Sequence, residues 1–509
     1  MLDIVADLHL HSKYSRAVSP QMTLPVMAGV GAQKGIDVLA TGDWTHPLWI
    51  REIQSQLEES EDGLYRLKDK GLRINDKDKH EKELRFLLSV EIASIYTQGG
   101  KGRRIHNLVL VPSIATAQKI NQEMLRRGFN LASDGRPIIG LSSRNLLELI
   151  LGIDEKSMLI PAHVWTPWFG VYGAMSGFDS LTDAFGDLAD KVYGIETGLS
   201  SDPEMNWQIE ELQNRSILSF SDAHSPAKMG REATVFRLES LSYENIRKAI
   251  MQPSLTRENR KLKMGVEDSK SKIDNKIPTQ SSIDPNLSSP ADHLLSNKVL
   301  YTIEFYPEEG KYHYSGHRNC NVTMTPEEQK VSGGICPVCH RKVTDGVMRR
   351  VQELAGLPSN TGLAQQDGGQ HIANAQGLVW IKDRASIHPP FVKIVPLQEV
   401  IAEAIGSPVG SPKIKVIFDS LTKEVGSEFD ILLKIPIEEI AKVGGEKVAA
   451  GIEKVRQAHI VIQPGYDGVF GVVKIWDKEK NDKGLMINDK DEEETISVKH
   501  PVEQVGIDF

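Results

Sequence analysis

Eight side chains, scattered over roughly 200 positions, are of the types that could do chemistry together. The first two, His9 and His11, stand two apart in D-I-V-A-D-L-H-L-H-S-K-Y-S (residues 3–15). A strand has period two, so both imidazoles are expected on one face with Asp7, while Leu8 and Leu10 point the other way. An H-x-H pair alone is half a metal site, and on its own more often a polar strand end. Asp43, Glu91, His106, His163, Asp222 and His224 change that balance. A His-rich set bridged by carboxylates is what a multinuclear zinc or manganese site needs. Two cations held close by a shared carboxylate lower the pKa of a water between them and stabilise the oxyanion that develops when it attacks phosphorus in line.

Residues so far apart need a scaffold that gathers them. Strand patterns over residues 3–7, 36–40, 85–90, 105–111, 158–162, 191–195 and 216–221 each deliver a polar residue at or near the end, and helical patterns separate most of them. Such alternation predicts a parallel α/β barrel of seven strands, with its chemistry at the C-terminal rim. The barrel is expected over residues 1–257, with a charged, solvated insertion at 69–82. Residues 258–297, rich in Lys, Ser, Asp, Asn and Pro, read as a flexible linker. A zinc-binding module follows at 298–355, then a polar loop at 362–376. A C-terminal domain of α/β or α+β type is expected over 356–476. Its expected strands are V-K-I-V, I-K-V-I-F and G-V-F-G-V-V-K-I-W, and its expected helices cover 397–405 and 437–457. A charged tail occupies 477–509.

Three further patterns stand out. His317-x2-Cys320 with Cys336-x2-Cys339 makes two ligand knuckles and a closed Cys3His structural zinc site, with His313 and His340 as competitors for the fourth position. Residues 443–452, V-G-G-E-K-V-A-A-G-I, fit a helix-hairpin-helix offering backbone N–H groups to a DNA phosphate, or equally a plain helix start. The run V-W-T-P-W-F-G-V-Y-G after His163 carries Trp165, Trp168, Phe169 and Tyr172. These rings either stack on a nucleobase or roof the barrel core.

Composition bounds the setting. In 509 residues there are 60 Lys and Arg against 69 Asp and Glu, a net charge of −9, so contact with nucleic acid must rely on local basic patches. Three cysteines, all between 320 and 339, exclude a disulfide framework and favour metal ligation. No apolar run is long enough to span a membrane, and the first residues lack the pattern of a secretory leader, so a cytoplasmic protein is expected.

The motifs D-L-H-L-H-S, T-G-D-W, S-V-E-I, R-I-H-N-L, I-P-A-H and S-D-A-H resemble those of the PHP (polymerase and histidinol phosphatase) superfamily of metal-dependent phosphoesterases. The resemblance implies a distorted seven-stranded barrel. It implies a first metal on His9, His11, Glu91 and Asp222, a second on Glu91, His106 and His163, and a third served by Asp43 and His224. Glu91, Asp222 and His163 are then the catalytic residues. Many members carry an acidic or histidine ligand just beyond H-x-H-S, where this chain reads S-K-Y-S-R, so the third site is short of a ligand unless His46 joins it.

Across residues 1 to about 476 the sequence resembles one branch of that superfamily, the endonuclease Q family. The resemblance rests on A-D-L-H-L-H-S-K-Y-S-R-A-V-S, I-P-A-H-V-W-T-P-W-F, I-E-T-G-L-S-S-D-P, I-E-F-Y-P-E-E-G-K-Y-H and P-G-Y-D-G-V-F-G-V. His317 stands where a cysteine would be usual. The resemblance implies a DNA repair nuclease cutting 5′ to uracil, hypoxanthine, xanthine and abasic sites. Double-stranded DNA is its partner, a sliding clamp a further one, and zinc with magnesium or manganese its cofactors. The competing expectation is a phosphatase of a small phosphomonoester such as histidinol phosphate.

Overall fold

The computed structural model describes residues 1–68, 83–253, 297–356, 369–384 and 386–477. The expected insertion at 69–82, the linker at 258–297 apart from its last residue, the first part of the 362–376 loop and the tail from 478 lie outside the described residues.

The barrel begins with β1 (Leu2–Asp7), which runs parallel to β2 (Val38–Ala40). A hairpin of β3 (Leu57–Glu61) and β4 (Leu64–Leu67) lies against β5 (Arg85–Gln98), and β5 is parallel to β2. At Gly99 and Gly100, both with positive φ, the chain turns straight back into β6 (Lys101–Val111). The short β7 (Ile138–Ile139) is parallel to β5, and β8 (Met158–Pro161) is antiparallel to β6. Next come β9 (Gly194–Glu196) and, parallel to it, β10 (Ser216–Leu218). Two contacts close the ring: Val164 N–H donates to Glu196 O at 3.1 Å, and His11 N–H donates to Ala223 O at 3.2 Å. All seven expected strands are in place, but the barrel is distorted rather than uniformly parallel, because β5 and β6 form an antiparallel hairpin.

Alternation along the strands explains the packing. Ile4 and Ala6 on β1, with Leu8 just beyond it, join Leu108, Leu110, Met158 and Ile160 in one buried cluster, which the helix at 243–253 closes with Ile246, Ala249 and Ile250. A larger cluster takes Phe86, Leu88, Val90 and Ile92 from the other face of β5, and continues through the helices into the C-terminal part of the chain.

Beyond the barrel, the sheet continues. β11 (Ala233–Leu238) pairs antiparallel with β1, and β12 (Lys298–Glu304) pairs with β11. The Cys/His module carries the small hairpin β13 (Ser315–His317) and β14 (Val322–Met324). β15 (Gly369–Ala373), β16 (Val379–Asp383) and β17 (Phe391–Lys393) then extend the main sheet through β12. Residues 369–373 are therefore strand where a loop was expected, and V-K-I-V belongs to this sheet rather than to a separate domain.

The C-terminal part is helical, which corrects the α/β expectation. Its helices are Leu397–Ile405, Pro412–Glu424, Glu428–Leu433, Ile437–Gly444 and Glu446–Arg456. I-K-V-I-F lies inside the second. Its branched residues suggested a strand, but Ser411 caps the Ile414 N–H, Pro412 opens the first turn, and buried Ile414, Phe418 and Leu421 keep helical spacing. The single helix expected at 437–457 is broken at Gly445, whose φ is +84°. A final hairpin, β18 (Val461–Gln463) with β19 (Val472–Lys474), follows. Lys34 Nζ pairs with Glu428 at 2.7 Å with both side chains buried, and Lys228 meets Glu399 at 2.6 Å, so the helices are docked on the barrel.

Candidate active site

Residues just beyond β1, β8 and β10 and mid-strand residues of β5 and β6 converge on one buried polar cluster. Glu91 is at its centre. Its Oε1 lies 2.5 Å from His106 Nδ1 and 3.0 Å from His163 Nε2, while its Oε2 lies 3.4 Å from His11 Nε2. Asp222 Oδ1 is 3.0 Å from His11 Nε2 and 3.6 Å from His9 Nε2. The His224 ring lies 4.7 Å from that of His11, tilted by 58°. Three donor groups emerge, each with ligand atoms within 4.8 Å of one another: His9, His11 and Glu91; Glu91, His106 and His163; and His11, Asp222 and His224. Glu91 and His11 are each shared by two groups.

The donor atoms suit divalent cations. His9 Nε2 is buried without a hydrogen-bond partner although it faces two carboxylates. Burial alone would raise the Glu91 carboxyl, yet His106, Arg136 and His11 hold it well below the usual carboxylate range. Burial likewise opposes charging His9, but Glu196 and Asp222 push its pKa well above the ordinary value. Such a cluster calls for positive charge. Burial pushes the His106 pKa down to about 4 against the pull of Glu91, and a neutral imidazole is the form that ligates a cation. A set that mixes imidazole with carboxylate is of the kind that holds divalent metal ions.

Orienting residues surround the donors. Glu196 accepts from His9 Nδ1 at 2.9 Å and from the His163 N–H at 2.8 Å. Asp43 does not join a donor group. Its Oδ1 faces His11 Nδ1 at 3.2 Å, and its Oδ2 is taken up by Ser12 N–H, Ser12 Oγ and Ser15 Oγ. This carboxylate fixes an imidazole rather than offering a free oxygen, which is how outer-shell partners act. His46 stacks on Tyr14 and faces Ala132 O, so the third group is completed by His11, not by His46. Asp7, expected beside the two histidines, instead binds Ser221 and Gly230. The backbone is strained here: Asp43, His163 and Asp222 all have positive φ, at about 1–3 kcal/mol each.

Sequence reasoning left two residues out of the set. Glu196 ends its strand as Glu91 ends the expected third strand, so the strand-end signal was present. Arg136, which donates to Glu91 Oε2 at 3.2 Å, sits in a loop with no periodicity to mark it.

The aromatic run divides. Trp165 and Tyr172 are core residues, with Trp165 Nε1 donating to Asn206 and the Tyr172 hydroxyl to Glu211; they roof the barrel and expose no face to a base. Trp168 and Phe169 are half-buried. The Phe169 ring lies 4.3 Å from that of His106, and Trp168 meets Tyr312 edge-on at 5.5 Å. Arg350 fastens the Cys/His module to this loop by donating to the carbonyls of Tyr172 and Phe178.

In that module, His317, Cys320, Cys336 and Cys339 bring their donor atoms within 4.8 Å of one another. Each knuckle is followed by a residue of positive φ, Asn321 and His340. His313 is buried away from the cluster and His340 is exposed, so His317 is the fourth member. Three thiols and an imidazole with no open position make a zinc-like structural metal site.

Comparison with solved structures follows this geometry along nearly the whole chain. The lesion-specific endonuclease PfuEndoQ from Pyrococcus furiosus matches with a TM-score of 0.69 and 27% identity, covering 95% of this chain and 98% of its own. The chain is a structural homologue of endonuclease Q. A second endonuclease Q structure, in complex with a 27-mer duplex substrate with an abasic lesion at the active site, matches with a TM-score of 0.68 and 27% identity, covering 96% and 100%. Residues 396–459 match the MJ0043 C-terminal domain family. Uncharacterized protein MJ0043 of Methanocaldococcus jannaschii is 26% identical over 311 residues, 61% of this chain but 31% of that relative, so the match spans about a third of its length. Uncharacterized protein YqxK of Bacillus subtilis is 27% identical over 493 residues, 93% of this chain and 100% of its own. The likeness to endonuclease Q thus takes in the barrel, the Cys/His module and the helices together. Among the described residues no helix is long and apolar enough to cross a membrane.

Proposed function

We propose that this chain is a DNA-repair endonuclease that hydrolyses the phosphodiester bond 5′ to deaminated bases and abasic sites. The carrying observation is the shared-carboxylate cluster around Glu91 in a chain that matches endonuclease Q over 95% of its length. His9, His11 and Glu91 would hold one cation, Glu91, His106 and His163 a second, and His11, Asp222 and His224 a third. Bound there, zinc, manganese or magnesium supplies an ionised water and neutralises charge on the phosphate.

The residues of the chain do the rest. Asp43 and Glu196 set the tautomers of His11 and His9. Arg136 brings a fixed positive fork to the mouth of the cluster, where a phosphate oxygen can be gripped. In the reaction the water oxygen bonds to phosphorus, the bond to the 3′ oxygen breaks, and that oxygen leaves with a proton, giving 3′-hydroxyl and 5′-phosphate ends. The barrel (1–257) carries this chemistry, while the Cys/His module (298–355) and the segment 356–476 grip the flanking duplex through phosphate contacts. A target base must leave the stack to be read, and leaves most easily where pairing is already weak. A sliding clamp is a further partner that the sequence resemblance alone supports.

End-labelled duplexes with one uracil, one hypoxanthine, one abasic site or no lesion, incubated with Mn²⁺ or Mg²⁺, test the proposal on denaturing gels. A single nick 5′ to the lesion is expected. Equal cutting of undamaged strands, or hydrolysis of histidinol phosphate without nicking, would overturn it.

A further inference from the structure

P-G-Y-D-G-V-F-G-V, residues 464–472, takes no part in the metal cluster, yet it is among the most tightly held loops of the chain. Gly465 and Gly471 donate to the carbonyls of Glu308 and Glu309 at 2.8 and 2.9 Å, and Gly468 donates to Lys311 O at 3.0 Å. A Cβ at Gly465 or Gly471 would fall 2.4 Å from Gly310 O or 2.0 Å from Glu308 O, so the backbones touch where only glycine fits. Asp467 is held from both sides, accepting from the Arg318 N–H at 2.7 Å and the Thr344 hydroxyl at 2.6 Å. The tip of this rigid loop nonetheless leaves Phe470 63% exposed, with Val469 40% exposed beside it.

Phe470 and Val469 give the fixed loop an apolar tip whose burial in an apolar slot would be favourable. Two features say what the slot is. Lys311 Nζ lies 4.6 Å from the Phe470 ring centroid, and exposed Arg318 adjoins the same loop, so the tip is flanked by cations. A line of rings also leads back to the metal cluster, from Tyr312, next to Lys311, to Trp168, then to Phe169 and His106. An apolar wedge set between cations, in line with a phosphoester site, matches a polyanion with a stacked interior.

We infer that Phe470 is a wedge that enters the base stack of duplex DNA beside the nucleotide drawn into the Glu91 cluster, with Lys311 and Arg318 on the flanking phosphates. Side chains that part a base step in this way offset the unstacking by the surface the bent duplex then buries. The inference rests on the endonuclease reading and adds to it a residue that opens the helix.

The test compares wild type, Phe470→Ala and Phe470→Trp on one lesion presented in duplex and in single-stranded DNA, where no stack has to be opened. A second readout uses 2-aminopurine next to the lesion, with Ca²⁺ replacing Mg²⁺ so that stacking is followed without cutting. Phe470→Ala should lower nicking on the duplex by about tenfold more than on the single strand, and Phe470→Trp should restore it. Wild type should brighten the 2-aminopurine on the duplex, and Phe470→Ala should not. Equal losses on both substrates, or an unchanged 2-aminopurine signal between wild type and Phe470→Ala, would overturn the wedge. If wild type brightens the probe yet never nicks, the endonuclease reading fails while insertion stands.

Discussion

The Arg136 guanidinium lies 3.2 Å from Glu91 Oε2, the carboxylate oxygen that also faces His11 Nε2 at 3.4 Å. A cation fixed so near the shared carboxylate would be free to turn to a phosphate once metal ions take its place. Arg136→Gln should therefore slow single-turnover nicking by about 100-fold, the scale of losing one transition-state donor, with metal content unchanged. Arg136→Lys should recover part of the rate, since it restores charge without the fork. A metal content that falls in parallel with the rate would place Arg136 in assembly instead.

Glu91 belongs to two donor groups, so its loss is felt twice. Glu91→Gln should lower cleavage by well over about 100-fold, beyond the effect of removing an outer-shell partner, while circular dichroism and binding to lesion DNA stay close to wild type. Turnover like that of wild type would remove the two-cation mechanism.

Asp43 gives a milder case. Because it holds His11 and offers no free oxygen, Asp43→Asn should weaken metal affinity by about 10- to 100-fold without changing the number of ions bound at saturation. Titration followed by metal analysis separates the two quantities, and a lost equivalent would return Asp43 to the ligands. Wild type should hold about four ions at saturation, three in the barrel and one in the Cys/His module.

These cases show where the sequence was readable. Strand ends announced His9, His163 and Asp222, because a buried apolar run that stops on a polar residue is visible without any structure; Glu91 was found by the same rule although β5 runs on past it to Gln98. The same rule covered Glu196. Arg136 was invisible, since its role comes from a loop folding across the mouth of the barrel. The turn at Gly99–Gly100 sends β6 back along β5, a pairing that nothing in the sequence of β6 announces. In I-K-V-I-F, side-chain branching outweighed the cap at Ser411 and the spacing of Ile414, Phe418 and Leu421. Burial decided the matter, and burial depends on what the rest of the chain supplies.

The Cys/His module should depend on its metal. Binding energy in a closed zinc site is also folding energy for a small module, so Cys336→Ser should open residues 300–345 to limited proteolysis while the barrel resists. Unchanged resistance would mean that no ion is held there.

Stability should vary with pH through Glu304. Burial pushes its carboxyl up to about 8 from an ordinary value of 4.5, although Thr302 and Ser219 donate to it, and Glu232 nearby is raised too. Between those values the folded chain keeps a proton that the unfolded chain has released. The contribution is therefore complete below about 4.5 and is lost as pH rises through about 8. Melting curves across that range should show wild type losing stability with pH relative to Glu304→Gln, and parallel curves would contradict the assignment.

Lys34 and Glu428, joined in the buried ion pair that docks the helices on the barrel, are 394 residues apart. On a ribosome adding ~5–20 residues each second, the lysine emerges some tens of seconds before its partner exists. Until then its ammonium must stay in water, and the flank of helix Leu24–Lys34 stays wet with it. That ion pair can therefore form only once residue 428 has been made, late in synthesis, and the flank it covers is the last part of this contact to be buried.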